Sequence, residues 1–210
     1  MARSGKRPGS SARWLRRQAT DPFVKAAKAE GFRSRAAYKL AALADRYRLF
    51  KRGQRVLDLG AAPGGWLQVA LAAVQPGGRI VGVDLAPIAP IPGVVLIQAD
   101  VAGEDLAQRI RAALGGPADL VLSDMAAATT GHAETDHLRT LALAEAAFDL
   151  AAVLLAPGGA FVVKLRQGAG EPGFFRALQT RFASVVRAKP AASRSESAEL
   201  YLVARGFKDQ

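Results

Sequence analysis

Four charged residues stand where proton chemistry is feasible. Lys164 lies near the end of an apolar run, Phe161-Val-Val-Lys-Leu165, and Asp124 closes another, as Ser123-Asp-Met125. Glu199 opens a third run, Ala198-Glu-Leu-Tyr201, and Lys39 sits on a helical stretch well ahead of them. A lysine near the end of a buried strand is unfavourable unless it is paired or used. Two lysines with two acids suit removal or steering of a proton from a weak nucleophile, such as a ribose 2′-hydroxyl meeting a methyl group. A lysine acts as a base there only when its pKa falls well below the roughly 10.4 of a free side chain. Burial and a second lysine lower it, while attraction to Asp124 and Glu199 opposes the fall and orients the ammonium groups. Lys164 is thus either a base or a group that steers the oxygen lone pair. In-line geometry at the methyl provides most of the rate in either case.

A second constellation belongs to a ligand. Asp58-Leu-Gly-Ala-Ala-Pro-Gly-Gly-Trp66 falls where a first strand turns into a helix. Gly60, Gly64 and Gly65 allow a tight backbone and close ligand approach. A dinucleotide site wants G-x-G-x-x-G facing pyrophosphate. This loop reads G-x-x-x-G-G, and Pro63 fixes one φ and removes a donor. It suits a zwitterionic amino acid and a ribose better than a pyrophosphate. Asp84 ends the next strand, 24 residues after Gly60, where a carboxylate accepts both ribose hydroxyls of an adenosine. Asp100 ends the third and is placed to accept from an adenine amino group. Each acid alone could simply cap a turn. In register at three strand ends, they point to S-adenosyl-L-methionine rather than a nicotinamide dinucleotide. Trp66 either packs beside the methionine part or fills the core.

The elements that must position these residues alternate. Apolar runs suited to buried strands cover Arg55–Leu59, Arg79–Leu85, Val94–Ala99, Ala118–Ser123 and Ala160–Leu165. Helical stretches between them include Trp66–Val74, Leu106–Leu114 and Thr135–Leu155, two of them ended by Pro76-Gly-Gly and Pro157-Gly-Gly. This is a βαβ series and implies an α/β fold with a parallel sheet covered on both faces. After a helix near Pro172–Phe182, strands Ser184–Lys189 and Glu199–Ala204 follow each other without a helix, which makes the last strand antiparallel. Ahead of the series, Asp21 caps a short helix with Pro22 at its first position and Gly31 past its end. Ser34 is expected to cap a second helix through Leu49.

Charge is concentrated at one end. Residues 1–52 hold 15 Lys and Arg against three acids, a net of +12, while the whole chain carries +11. Residues 1–20 read as a flexible basic arm. Residues 21–210 read as a single domain, with basic helices at 21–50 and the core at 53–206. A nearly neutral domain with such a handle suits a polyanion. There are no cysteines, so disulfides and thiolate chemistry are excluded. No apolar run is long enough for a membrane span and none follows the basic N-terminus as in a signal peptide, so a cytoplasmic protein is expected.

The D-L-G-A-A-P-G-G-W loop, S-D-M, the V-V-K-L strand and the S-x-E-L-Y ending together resemble the FtsJ/RrmJ family of ribosomal RNA methyltransferases, from about Asp21 to Gly206. The resemblance implies a Rossmann-like, mostly parallel seven-stranded sheet with an antiparallel last strand. It implies 2′-O-methylation of an A-loop uridine of 23S rRNA, in a late or assembled large (50S) subunit rather than naked RNA; a monomer that uses neither DNA nor membranes is expected. It places the family's Lys-Asp-Lys-Glu tetrad on Lys39, Asp124, Lys164 and Glu199, with Lys164 as proton acceptor. It places the cofactor residues on Gly64, Trp66, Asp84, Asp100 and Asp124, and implies no metal. Family members often follow S-D-M with Ala-Pro-Asn and a Ser-Gly; here Ala126-Ala-Ala-Thr-Thr-Gly131 departs from that run.

Other readings fit less well. Base C5 methylation generally needs a cysteine, and amino-nitrogen methylation an Asn/Asp-Pro-Pro-aromatic motif that Met125-Ala126-Ala127 does not provide. Methylation of another RNA such as tRNA shares the tetrad. A non-catalytic ribosome-assembly factor would need no paired lysines. His132 and His137 are five apart, off the spacing of a helical metal pair. Ser123 lacks a G-x-S-x-G elbow. Phe23 and Phe32 are expected to pack on the core rather than stack on bases.

Overall fold

The computed structural model describes residues 21–194 and 197–208 of the chain; the expected basic arm, residues 1–20, lies outside them. In chain order the elements are α1 (Pro22–Ala29), α2 (Ala36–Tyr47), β1 (Arg55–Leu59), α3 (Gly65–Val74), β2 (Arg79–Asp84), β3 (Val94–Gln98) and α4 (Leu106–Leu114). There follow β4 (Ala118–Ser123), α5 (Ala133–Leu154), β5 (Leu155–Arg166), α6 (Glu171–Arg181), β6 (Phe182–Ala188) and β7 (Glu199–Phe207).

Seven strands form one sheet in the order β3-β2-β1-β4-β5-β7-β6. β1 to β5 pair in parallel, and β7 runs antiparallel to both β5 and β6. The doubly covered sheet explains why the strand sequences are continuously apolar rather than alternating. One core lies under α4, α5 and α6, around Leu57, Leu59, Val121 and Phe161; the other lies under α2 and α3, around Val56, Leu122, Val162 and Tyr201. β1 has β2 on one side and β4 on the other, where the strand order reverses, so the carboxyl ends of β1, β2 and β4 open one crevice.

Two local expectations are corrected. Arg35, not Ser34, is the N-cap of α2, and it makes no side-chain cap bond; Ser34 instead receives the Ala37 amide on its carbonyl. β5 starts at Leu155, so Pro157-Gly-Gly lies within it as an irregularity rather than ahead of it, with a register shift opposite Ala118 to Leu120. Asp21 does cap α1, accepting from the Phe23 amide at 3.0 Å. Such a cap contributes about 1 kcal/mol. Asp21 also pairs with Arg35 of α2 and with Arg194 at 3.3 Å, which ties the leading helix to the β6–β7 connection.

Candidate active site

The crevice is a cavity of about 450 Å³ whose walls include Gly60, Asp84, Leu85, Asp100, Asp124 and Met125. Gly60 has φ +73°, and a Cβ there would lie 2.6 Å from Met125 Cγ and 2.9 Å from its Cα. Glycine is therefore required both by conformation and by contact. Asp84 accepts the Ala62 and Ala86 amides, each at 2.8 Å, one on each oxygen. A carboxylate has about four acceptor positions, so capacity for ligand hydroxyls remains. Asp100 lies two residues beyond β3 and accepts the Ala102 amide at 3.0 Å, so it caps a turn and also forms the wall.

Gly64 and Trp66 stand outside that wall. Gly64 has φ +110°, and a Cβ there would approach the Arg33 and Ile91 side chains at 3.0 Å. Trp66 is buried; its indole Nε1–H donates to the Ala36 carbonyl at 2.8 Å and its ring lies 5.9 Å from that of Tyr201. Of the two readings the sequence left for Trp66, its side chain takes the core one.

The tetrad assembles at the neighbouring strand ends. In the antiparallel register Lys164 lies opposite Tyr201 and Arg166 opposite Glu199. Opposed residues share a face of the sheet, and so do i and i+2 on one strand. All four therefore face α2, which carries Lys39. Lys164 Nζ lies 3.0 Å from Asp124 Oδ1 and also donates to the Asp124 backbone carbonyl. Lys39 Nζ donates to Glu199 Oε1 at 2.6 Å, and the Ser193 hydroxyl donates to the same oxygen at 3.0 Å. Burial pushes the Glu199 carboxyl up, but the Lys39 ammonium, with lesser help from Lys164 and Ser193, outweighs it and holds the pKa below the usual range. Tyr201 ends the S-x-E-L-Y motif and has no role legible in the chain itself; its hydroxyl donates to Asp124 Oδ1 at 2.8 Å. The alternation Glu199-x-Tyr201 was the available signal.

A second cavity, of about 190 Å³, adjoins the first through Ala126 and reaches Asp136, Lys164, Arg166 and Glu199. Lys164 thus borders one cavity while its partner Asp124 borders the other. The loop between them is held by Asp136, which accepts the Thr130 amide and hydroxyl, each at 2.7 Å, and the Gly131 amide at 3.4 Å. The Thr130 bonds are the main reason its carboxyl sits below the ordinary range.

Beneath the loop Asp58 is fully buried, with no hydrogen-bond partner for either carboxyl oxygen. Burial raises its pKa well above the carboxylate range, and the charges of Asp124 and Asp84 raise it further.

Other singled-out residues are occupied structurally. His137 is buried, its Nδ1 on the Arg166 carbonyl at 3.0 Å and its Nε2 accepting the Gly170 amide at 3.1 Å. Phe23 and Phe32 both pack on Tyr38, with ring centroids 5.5 and 5.6 Å away. No helix of the described residues is long and apolar enough to cross a membrane.

Residues 32–207 match the sequence profile of the FtsJ-like methyltransferases. The chain is 56% identical over 206 residues to a Granulibacter bethesdensis protein named ribosomal RNA large subunit methyltransferase E, covering 97% of this chain and 87% of the relative. A protein of the same name from Novosphingobium aromaticivorans is 52% identical over 203 residues, covering 97% and 91%. Among solved structures, a ribosomal RNA methyltransferase, described as putative, from Plasmodium falciparum superposes with a TM-score of 0.78 at 29% identity, over 85% of this chain and all of that one. Sheet order, crevice and profile agree, and the chain belongs to the FtsJ-like methyltransferase family.

Proposed function

We propose that this protein transfers a methyl group from S-adenosyl-L-methionine to the 2′-hydroxyl of a uridine ribose in the A loop of 23S rRNA, within the large (50S) ribosomal subunit. The observation that carries the reading is Lys164, held against Asp124 at the boundary between two adjoining cavities. The larger cavity suits the methyl donor: Asp84 has acceptor capacity for ribose hydroxyls, Asp100 stands where an adenine amino group would be met, and Gly60 leaves room at the turn. Gly64 and Trp66 act on the donor through the loop they pin. When bound, S-adenosyl-L-methionine supplies an electrophilic methyl on a sulfonium.

The chain's own residues handle the acceptor. Asp124 engages Lys164 Nζ through its carboxylate and its backbone carbonyl, which leaves the remaining position of the nitrogen for the hydroxyl group. As a neutral amine it turns the lone pair at that position toward the hydroxyl proton and takes the proton up as the methyl arrives, becoming the ammonium that Asp124 holds. Lys39 and Glu199 hold each other beside it and keep the local charge balanced. DNA lacks the 2′-hydroxyl, so RNA is the substrate class. The names of the relatives favour ribosomal RNA, and the +12 of residues 1–52 favours a large polyanion. A monomer in the cytoplasm completes the proposal.

The test is to incubate large subunits lacking the modification with labelled S-adenosyl-L-methionine and to map ribose methylation. A single A-loop uridine is expected to be labelled, and Lys164→Ala to abolish labelling. Equal labelling by that variant would overturn the mechanism; labelling of tRNA in preference to subunits would overturn the substrate.

A further inference from the structure

We propose that Arg166 reads the base of the nucleotide being methylated, donating hydrogen bonds to its carbonyl edge and so selecting uracil over cytosine. This rests on the ribose methylation proposed above and adds to it a residue that determines specificity.

The smaller cavity is walled by charged groups, and nearly all of them are committed. Lys164 is bound to Asp124, Glu199 to Lys39 and Ser193, and Asp136 to Thr130 and Gly131. Arg166 is the exception. Its backbone carbonyl is fixed by His137. Among the described residues, its guanidinium has no hydrogen bond and no ion pair within 4.0 Å. Its charge is felt at Asp136 without a bond being made. Five N–H donors in a fixed plane, held half-buried beside a cavity and left unmatched, are arranged for an incoming acceptor.

The strand fixes where that acceptor lies. Arg166 is two residues beyond Lys164 on the same face of β5, roughly 6.6 Å further along at the usual rise of an extended strand. That matches the reach from a ribose 2′-oxygen to the far edge of its own pyrimidine. At that edge uracil presents a carbonyl and cytosine an amino group. The amino group is a donor and would face a guanidinium that can only donate. Of the cavity's carboxylates, Asp136 is taken up by Thr130 and Gly131 and Glu199 Oε1 by Lys39 and Ser193, whereas the donors of Arg166 are unengaged, which favours an acceptor at that edge. The two acids also balance Lys164 and Arg166, which favours a neutral base over a phosphate.

The experiment uses the full-length protein with labelled S-adenosyl-L-methionine and unmodified large subunits carrying either uridine or cytidine at the mapped nucleotide. Wild type is expected to prefer uridine by about tenfold or more in kcat/KM, and Arg166→Met to bring the two within about twofold, because a site built to pair a polar edge rejects the unmatched one. Arg166→Lys, which keeps the charge and loses the planar fork, is expected to fall between them. Unchanged melting temperature and donor affinity certify the variants; if Arg166→Met fails to fold, Arg166→Gln takes its place. An unchanged uridine-to-cytidine ratio overturns this inference and leaves the proposed function standing. Equal losses on both substrates with a shallower salt dependence also overturn it, by assigning Arg166 to a phosphate. Absence of ribose methylation by wild type on either substrate overturns the proposed function, and this inference with it.

Discussion

The Tyr201 hydroxyl donates to Asp124 Oδ1 at 2.8 Å, and Lys164 Nζ lies 3.0 Å from the same oxygen. One carboxylate oxygen therefore joins the antiparallel strand β7 to the lysine of β5. Burial, followed by the charges of Asp124 and Glu199, raises the Tyr201 pKa well above its ordinary value, so it remains a phenol and a donor at any working pH. Its ring also stands between Trp66 and Lys39, 5.9 Å from each. Tyr201 thus holds the Asp124–Lys164 pair in place from β7.

Tyr201→Phe keeps the ring and removes only that hydrogen bond. We expect kcat to fall about tenfold or more, with folding stability lowered by about 1 kcal/mol. The KM for donor should change little, since the deleted hydroxyl lies outside the larger cavity. Single-turnover methylation with a parallel thermal melt checks this; a fall in stability without a fall in the chemical step would leave Tyr201 as core filling.

Much of this arrangement is legible in the chain alone. Arg55–Leu59 and Ala118–Ser123 end where their apolar runs end, and Leu106–Leu114 stops at Gly115 with φ +68°. Glycine and proline mark those boundaries in the chain itself. The strand-end acids are legible because ligands in such sheets gather at carboxyl ends. What sequence could not supply was pairing. Tyr201 joins Asp124, 77 residues away, only through the β5–β7 register. The smaller cavity exists only because Asp136 folds the 126–131 loop back over it. Ser34 has the residue type of a cap, yet the backbone of Arg35 takes that place.

Asp58 makes a pH prediction. Its folded-state pKa is raised, so the folded protein holds this proton more tightly than the unfolded chain does. Its favourable contribution is complete below the unfolded value near 3.8 and is lost as pH rises from there through the raised folded value. Asp58→Asn replaces the carboxyl by an amide of the same shape that carries no charge at any pH. We expect its stability near neutral pH to lie within about 1 kcal/mol of wild type or above it, and the decline with rising pH to flatten. Urea unfolding over a pH series measures both. An unchanged pH slope would show that another group sets it.

Gly60→Ala tests the floor of the larger cavity. The new methyl must occupy a left-handed backbone position, at a cost of about 1–3 kcal/mol, and would also sit 2.6 Å from Met125 Cγ. Met125 is a wall residue of that cavity and must move. Titration calorimetry should show donor affinity reduced by roughly tenfold or more, in the range expected when a well-fitted wall is displaced. The far-UV spectrum should stay native. Unimpaired donor binding would place the ligand away from Gly60.

The remaining prediction concerns the basic end. Residues 1–20 contain six Lys and Arg and no acid. The first described element does not need them: Asp21 caps α1 and is held by Arg35 and Arg194. Deleting residues 1–20 should therefore leave the melting temperature and donor affinity unchanged. Subunit affinity should fall, and the slope of its logarithm against the logarithm of salt concentration should become shallower by roughly 0.7–0.9 for each phosphate no longer neutralised. Filter binding at several salt concentrations reads both quantities. If affinity falls with an unchanged slope, the deleted segment contributes through shape and not charge. If neither changes, the electrostatic handle lies instead in the nine Lys and Arg of residues 21–52, of which Lys39 already reaches the site through Glu199.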